Sequence, residues 1–528
     1  MLQTYEGVSD DEAKQRADYD LRWKVALGVE LDARPVAKST LQEFRAQLIV
    51  HEAAAAIFQV SLEEAKRRGK FRAKSGEKRK LKVALDTTNI LGRGAVKDTD
   101  NLLGDGILKL ARVLAKLAGQ PLTAWAEAPG YGRYVGPTSL KGTAAIDWGD
   151  ASERRRLLGE IVADADRLLE QARLVRSGLE AGSAAEATLV EAAGLLSRVL
   201  VQDVERQEAG PALKQGGAKD RLVSVHDPEM RHGRKSASKR FDGHKAAVAV
   251  DTDEPLIVAV DVLAGNAPDA EGALELVEQA EANTGCAVDE TMGDCAYGGG
   301  ETRQAFADAG RTLIAKVPNP SNQGCFPKTA FTLDLDARSA TCPAGQTTQD
   351  FKPSQTGGGT FRFAVELCAA CPLRAQCVRG VGGRTVAVHP QERLLQEARA
   401  LQASPAFAEY RRRRQRVEHR IARLVQLGIR QARDVGTPKV RFQLLMAAAV
   451  ANLTYLAMTD LLSGPDSAAI GLLSVLLGLF LLALSRQLGP GRLIGSPDHL
   501  AGIRFTSRDR PLTSRPIAFN MPGCRPGF

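Results

Sequence analysis

The sequence is short of several things that would place it. Its start, Met1–Asp10, has neither a positive cluster nor an apolar core, so no secretory leader is expected. No internal repeat is visible. Cysteine is scarce, with 8 in 528 residues, which points to a reducing compartment and to core or metal roles rather than a disulfide framework. Long apolar runs are almost absent. The segment Ala468–Leu484 approaches membrane-span length but is short and broken by Gly471, Ser474 and Gly478, so a packed helix or an abnormal tail is expected and no membrane partner is.

What is present is an ordinary globular composition, 44% hydrophobic and 25% charged, on a chain long enough for two or more domains. The formal net charge is +9, a surplus that asks for a polyanionic partner. It is concentrated: Lys66–Lys82 holds ten Lys or Arg against one Glu, and Arg411–Arg423 holds seven Arg against one Glu. Each run taken singly also reads as a solvated face.

Residues 1–80 have helical spacing, with Leu41, Phe44, Leu48 and Ile49 on one face and Thr40-Leu41-Gln42-Glu43 as a capping box, Ser39 competing as the cap. A basic linker leads to an apolar strand, Leu81–Leu85, that ends in Asp86. Helices follow over 101–117 and 151–207, an expected insertion at about 100–220. Two strands around Thr252-Asp253-Glu254-Pro255 form a hairpin, and a helix, a strand ending at Asp294, another helix and the strand Thr312–Val317 come next. The pattern predicts an α/β fold: a ribonuclease-H-like mixed sheet with flanking helices over 81–458, an N-terminal helical region, and a cysteine-rich insert at about 322–390. Residues 459–528 are an apolar, then Arg/Pro-rich tail.

Three carboxylates stand out. Asp86 and Asp294 close apolar strands, where a carboxylate is rigid yet able to ionise, as a magnesium ligand must be. Glu418 is the only acid in Arg411–Arg433 and borders the apolar helix face Val417, Ile421, Leu424 and Gly428. Bridging carboxylates of this kind hold two divalent metals about 4 Å apart for in-line displacement at phosphorus. The plain alternatives are a turn residue for Asp86 and an Arg414 or Arg411 ion pair for Glu418. Asp269 reads as a turn or helix cap, and Asp227 and Glu409 are weaker competitors.

Cys342, Cys368, Cys371 and Cys377 stand at Cys-x25-Cys-x2-Cys-x5-Cys, a spacing that suits a structural zinc ion in a loop-rich segment, with unligated thiols the alternative. Arg231, Arg234, Lys235, Lys239 and Arg240, in a loop with small hydroxyls, suit phosphate contacts.

In Leu85-Asp86-Thr87-Thr88, Asp227-Pro228-Glu229-Met230-Arg231-His232-Gly233, Phe241-Asp242-Gly243-His244-Lys245, Gly293-Asp294-Cys295-Ala296-Tyr297 and the Tyr410…Arg414…Glu418 helix, the chain resembles insertion-sequence DDE transposases of a subgroup with a cysteine-bearing insert before the third acid. The resemblance runs over roughly residues 15–458 and includes Asp20–Gly28. It implies Asp86, Asp294 and Glu418 as the catalytic triad with two Mg²⁺ or Mn²⁺ ions, and Tyr410, Arg414 and Tyr297 as accessory residues. Tyr410-x3-Arg414 is one residue longer than the usual spacing, and Val425 stands where a lysine is usual. Arg411 and Arg416 join the DNA-contacting cations.

The implied partners are duplex DNA, at terminal inverted repeats and at the target, and a second copy of the chain. The implied place is the cytoplasm, at the nucleoid. The resembling proteins carry more N-terminal residues and no such tail, so an altered copy that only grips DNA is a second expectation, and a metal-dependent nuclease or resolvase a third.

Overall fold

The computed structural model describes residues 1–463, except Lys74, Ala128, Pro137, Thr138, Ala237 and 319–321, and except the side chains of 460–463. The apolar segment 468–484 and the rest of the tail lie outside the described residues.

A mixed sheet organises the fold. Its strands are β1 (Leu81–Leu91), β2 (Arg231–Arg234), β3 (Arg240–Asp251), β4 (Ile257–Ala264), β5 (Val288–Met292) and β6 (Thr312–Ile314). β3 pairs antiparallel with β1 along one edge and with β2 and β4 along the other, while β1, β5 and β6 run parallel. The runs Val83-Ala84-Leu85 and Ala246–Val250 are buried on both faces, which is why neither alternates with polar residues.

β1 is longer than its apolar run suggested. It continues through Asp86 to Leu91, so Asp86 lies in mid-strand rather than at a strand end. β5 covers β1 only from Leu81 to Ala84, and on the same side Leu91 is met by Gln431. Between them, residues 85–90 keep an open edge beside the end of β5.

Nine helices matter here: α1 (Ala53–Arg67), α2 (Thr99–Leu117), α3 (Ala151–Ser177), α4 (Ala184–Asp203), α5 (Ala273–Thr284), α6 (Gly300–Asp308), α7 (Glu392–Ala403), α8 (Phe407–Gln426) and α9 (Thr437–Ser463). α2, α3 and α4 lie between β1 and β2 and pack on each other around Leu103, Ile107, Leu110, Ile161, Leu168 and Leu196. The helical stretch expected to reach Gln207 stops at Asp203 and turns into a small hairpin, Val204–Gln207 with Gly210–Leu213. The expected capping box is absent: that helix, Lys38–Val50, starts two residues ahead of Thr40, with Ala37 at its cap and no side-chain cap bond.

α8 lays Val417 and Leu424, both fully buried, against β1 and β3. α9 is buried almost throughout from Leu444 to Leu453 and packs on α1 and β4. Over Thr437–Thr459 it is long and apolar enough to cross a membrane, yet its Asn452 is locked into the fold. The Asn452 Nδ2 donates to the Ile257 carbonyl at 2.8 Å, and its Oδ1 accepts from the Ile257 amide at 2.9 Å.

Candidate active site

The site forms where β1 lacks a neighbour. Asp86 is only partly exposed, and its Oδ1 accepts the Thr87 amide at 2.7 Å. Its carboxyl is lifted from the ordinary 3.8 to about 6, first by burial and then by the charges of Asp294 and Glu418, against the Thr87 bond and Arg414.

Asp294 follows the last residue of β5 by two. Its Oδ1 caps a single turn, Cys295–Tyr297, by accepting the Ala296 amide at 2.8 Å. Gly293 is required here, because a Cβ would stand 2.7 Å from Tyr297 Cβ and Cγ. Tyr297 is fully buried, and its hydroxyl is pushed well above the usual tyrosine range by burial and by Asp86, Asp269 and Asp294.

Glu418 projects from α8, half exposed, and pairs with Arg414 one turn back. The Arg414 Nη1 also stands 3.8 Å from Asp86 Oδ2, so one guanidinium spans Asp86 and Glu418. Both the plain ion pair and the nearness of the acids are therefore present. Tyr410, two turns before Glu418, points elsewhere: its hydroxyl donates to Glu290 at 3.3 Å, and Glu290 also pairs with Lys82 at 2.9 Å.

Asp269 lies in a turn before α5, one of its two sequence readings, and does not cap the helix. Gly272 caps α5, whereas the Asp269 Oδ1 accepts the Thr87 hydroxyl at 2.9 Å and Lys245 Nζ at 2.7 Å. Lys245 went unremarked as a functional residue in the sequence. Its signals were its place in the Phe241–Lys245 segment of the family resemblance and its position opening an otherwise apolar strand run, Ala246–Val250. Asp227 is fully buried with neither carboxylate oxygen hydrogen-bonded, 3.8 Å from His244 Nε2.

The donor chemistry at Asp86, Asp294 and Glu418 suits a hard divalent cation: these are carboxylate oxygens, and the raised Asp86 carboxyl is short of positive charge. As they stand, no three His, Cys, Asp or Glu among the described residues close into a metal-holding group.

The same holds for the insert. Cys342, Cys368, Cys371 and Cys377 line one pocket with Phe363, Arg374 and Arg384, and the Arg384 amide donates to Cys368 Sγ at 3.3 Å. The insert has a small core of its own around Phe331, Phe361, Phe363 and Val386.

The expected DNA-contacting cations divide. Arg231 is half-buried, its Nη1 donating to the carbonyls of Pro228 at 2.6 Å and Met230 at 2.7 Å. Arg234, Lys235, Lys239 and Arg240 surround the β2–β3 turn, exposed and without side-chain bonds among the described residues. Arg411 and Arg416 are exposed on the outer side of α8.

Residues 341–457 match a family model described as a transposase DDE domain. That span holds Cys342, Cys368, Cys371, Cys377, Tyr410, Arg414 and Glu418, and it bears out the DDE-transposase resemblance read from the sequence. No curated protein matches the chain.

Proposed function

We propose that the chain is a DNA transposase with a ribonuclease-H-like core over residues 81–458, and that Asp86, Asp294 and Glu418 are its catalytic carboxylates. One observation carries this reading: the Arg414 guanidinium spans Asp86 and Glu418 beside the open edge of β1, where the charge of Asp294 also reaches Asp86. The antiparallel strands β1, β3 and β4, followed by parallel strands alternating with helices, support the core assignment.

In this reading Asp86, Asp294 and Glu418 would hold two Mg²⁺ or Mn²⁺ ions. Such ions, when bound, turn water into a nucleophile at neutral pH and stabilise the departing oxygen. The chain's own contribution is positional. The Thr87 and Ala296 amides each fix one oxygen of Asp86 and Asp294. Arg414 offers a planar guanidinium between two carboxylates, suited to the non-bridging oxygens of a phosphate. Arg234, Lys235, Lys239, Arg240, Arg411 and Arg416 contact the DNA backbone and set register rather than sequence. Water attacks a phosphodiester at the element's end and frees a 3′-hydroxyl. That hydroxyl then attacks a target phosphodiester and displaces the target strand's 3′-oxygen, one P–O bond forming as another breaks and the proton passing to the departing oxygen. Two chains pair to hold two ends, and the reaction takes place in the cytoplasm.

The test is incubation of the 528-residue chain and Mg²⁺ with a plasmid carrying the DNA that flanks the gene. Nicks at the repeats and joined products are expected. Asp86→Asn, Asp294→Asn and Glu418→Gln should each lower both by about a thousandfold or more, the scale for groups acting in the transition state. Nicks without joining would make the chain a nuclease, and full activity in Glu418→Gln would remove the site assignment.

A further inference from the structure

A lysine inside a sheet needs a reason. Lys245 is 9% exposed on β3, and its ammonium is turned to groups of the protein itself. It donates to the Ala267 carbonyl at 2.6 Å and to Asp269 Oδ1 at 2.7 Å. The same Asp269 oxygen accepts the Thr87 hydroxyl at 2.9 Å. Thr87 is the residue whose amide fixes Asp86 Oδ1 at 2.7 Å. A continuous chain of contacts therefore runs from Lys245 through Asp269 and Thr87 to Asp86, across residues 182 and 24 positions apart in sequence.

We propose that Asp269, neutralised by Lys245, is a positioning residue that holds Thr87 and thereby the orientation of the Asp86 carboxylate. The inference rests on the reading of Asp86 as a metal-binding catalytic group.

Asp86 lies on a stretch of β1 with no strand on its β5 side beyond Ala84, so the sheet alone does not fix the backbone there on both sides. The Thr87 hydroxyl bond replaces part of that missing restraint. A charge-assisted bond of this kind is short and directional. Lys245 then lets a fourth carboxylate stand near three others without adding its full repulsion, because a nearly buried ammonium is weakly screened. Fixing the loop before α5 explains the Ala267 contact, but it leaves the Thr87 contact without a purpose.

Four variants of the full chain test this: Asp269→Asn, Thr87→Val, Thr87→Ser, and the Asp269→Asn/Thr87→Val pair. The first readout is Mn²⁺ binding without DNA, followed by the electron-spin signal of free ion. The second is kcat and KM for nicking a duplex from the element's end. Asp269→Asn and Thr87→Val should each weaken Mn²⁺ binding about tenfold and lower kcat with KM unchanged, as loss of an outer contact to a metal ligand does. Thr87→Ser keeps the hydroxyl and should behave as the parent. The double variant should be no worse than either single one, because both remove one contact.

Unchanged Mn²⁺ affinity with a lowered melting temperature would overturn the proposal, and so would additive losses in the double variant. If the parent chain binds Mn²⁺ and shows this pattern but cuts no DNA, the positioning network stands and the transposase reading fails.

Discussion

Asp86 is held in a state that favours its proton, and the sign of the consequence follows. Its folded carboxyl titrates near 6 against an ordinary 3.8, so the folded chain binds this proton more tightly than the unfolded one. The associated stability is complete below about pH 4 and is lost as pH rises through about 6. The lift corresponds to about 3 kcal/mol, an upper bound for a side chain that keeps some contact with water. Asp86→Asn should therefore match the parent near pH 4 and exceed it by about 1–3 kcal/mol at pH 7.5, in urea unfolding with a chelator present. A difference that does not change with pH would contradict this. Asp86 and Glu418 stood out in the sequence because one closes an apolar run and the other is the only acid in the basic run Arg411–Arg423, while Asp294 follows a strand that carries Asp289 and Glu290 as well. Asp269 did not stand out, because the hydroxyl that defines its role comes from Thr87, 182 residues earlier.

Single elements were read well by type and less well at their ends. β1 ran six residues beyond its apolar stretch because β3 pairs with it as far as Leu91, whatever the polarity of Asp86, Thr87, Thr88 and Asn89. The Thr40–Glu43 box had the right letters, but its helix had already begun. Asn452 shows how polar detail hides in an apolar element. It lies amid a buried helix and serves the Ile257 backbone as a short piece of strand would, beside the irregularity where β3 shifts register between Ala249 and Val250. Asn452→Leu should leave a buried amide and a buried carbonyl unpaired and lower stability by about 2–4 kcal/mol. Thermal or urea unfolding checks it, and a neutral result would mean that water or a shifted strand serves Ile257 instead.

For the whole molecule, the surplus of nine positive charges predicts salt-sensitive binding to any duplex. Each phosphate neutralised contributes about −0.9 to the slope of log affinity against log salt. Replacing Arg234, Lys235, Lys239 and Arg240 with alanine should make that slope shallower by about 3–4, while Arg231→Ala should leave it nearly unchanged. Fluorescence anisotropy with a random duplex between 50 and 200 mM salt, the range over which such contacts are lost, measures both. The division was not legible in the sequence, where all five cations belong to one run; the fold bonds one of them to carbonyl groups. The alternation of strands and helices carried the α/β class, since period depends on neighbours along the chain. Which groups share the site depended on contacts between distant segments.

The uncovered stretch of β1 also fixes a pattern of isotope exchange. In an antiparallel pair successive amides point alternately towards and away from the partner strand. The Thr87 amide is held by a side chain and the Leu91 amide by the Arg430 carbonyl at 2.9 Å, so the amides on this side belong to odd-numbered residues. Asn89, between them, faces the gap with no backbone acceptor among the described residues. In heavy water its proton should be replaced well before those of Thr88 and Ile90, which point to β3, so that fast and slow amides sit side by side in one strand.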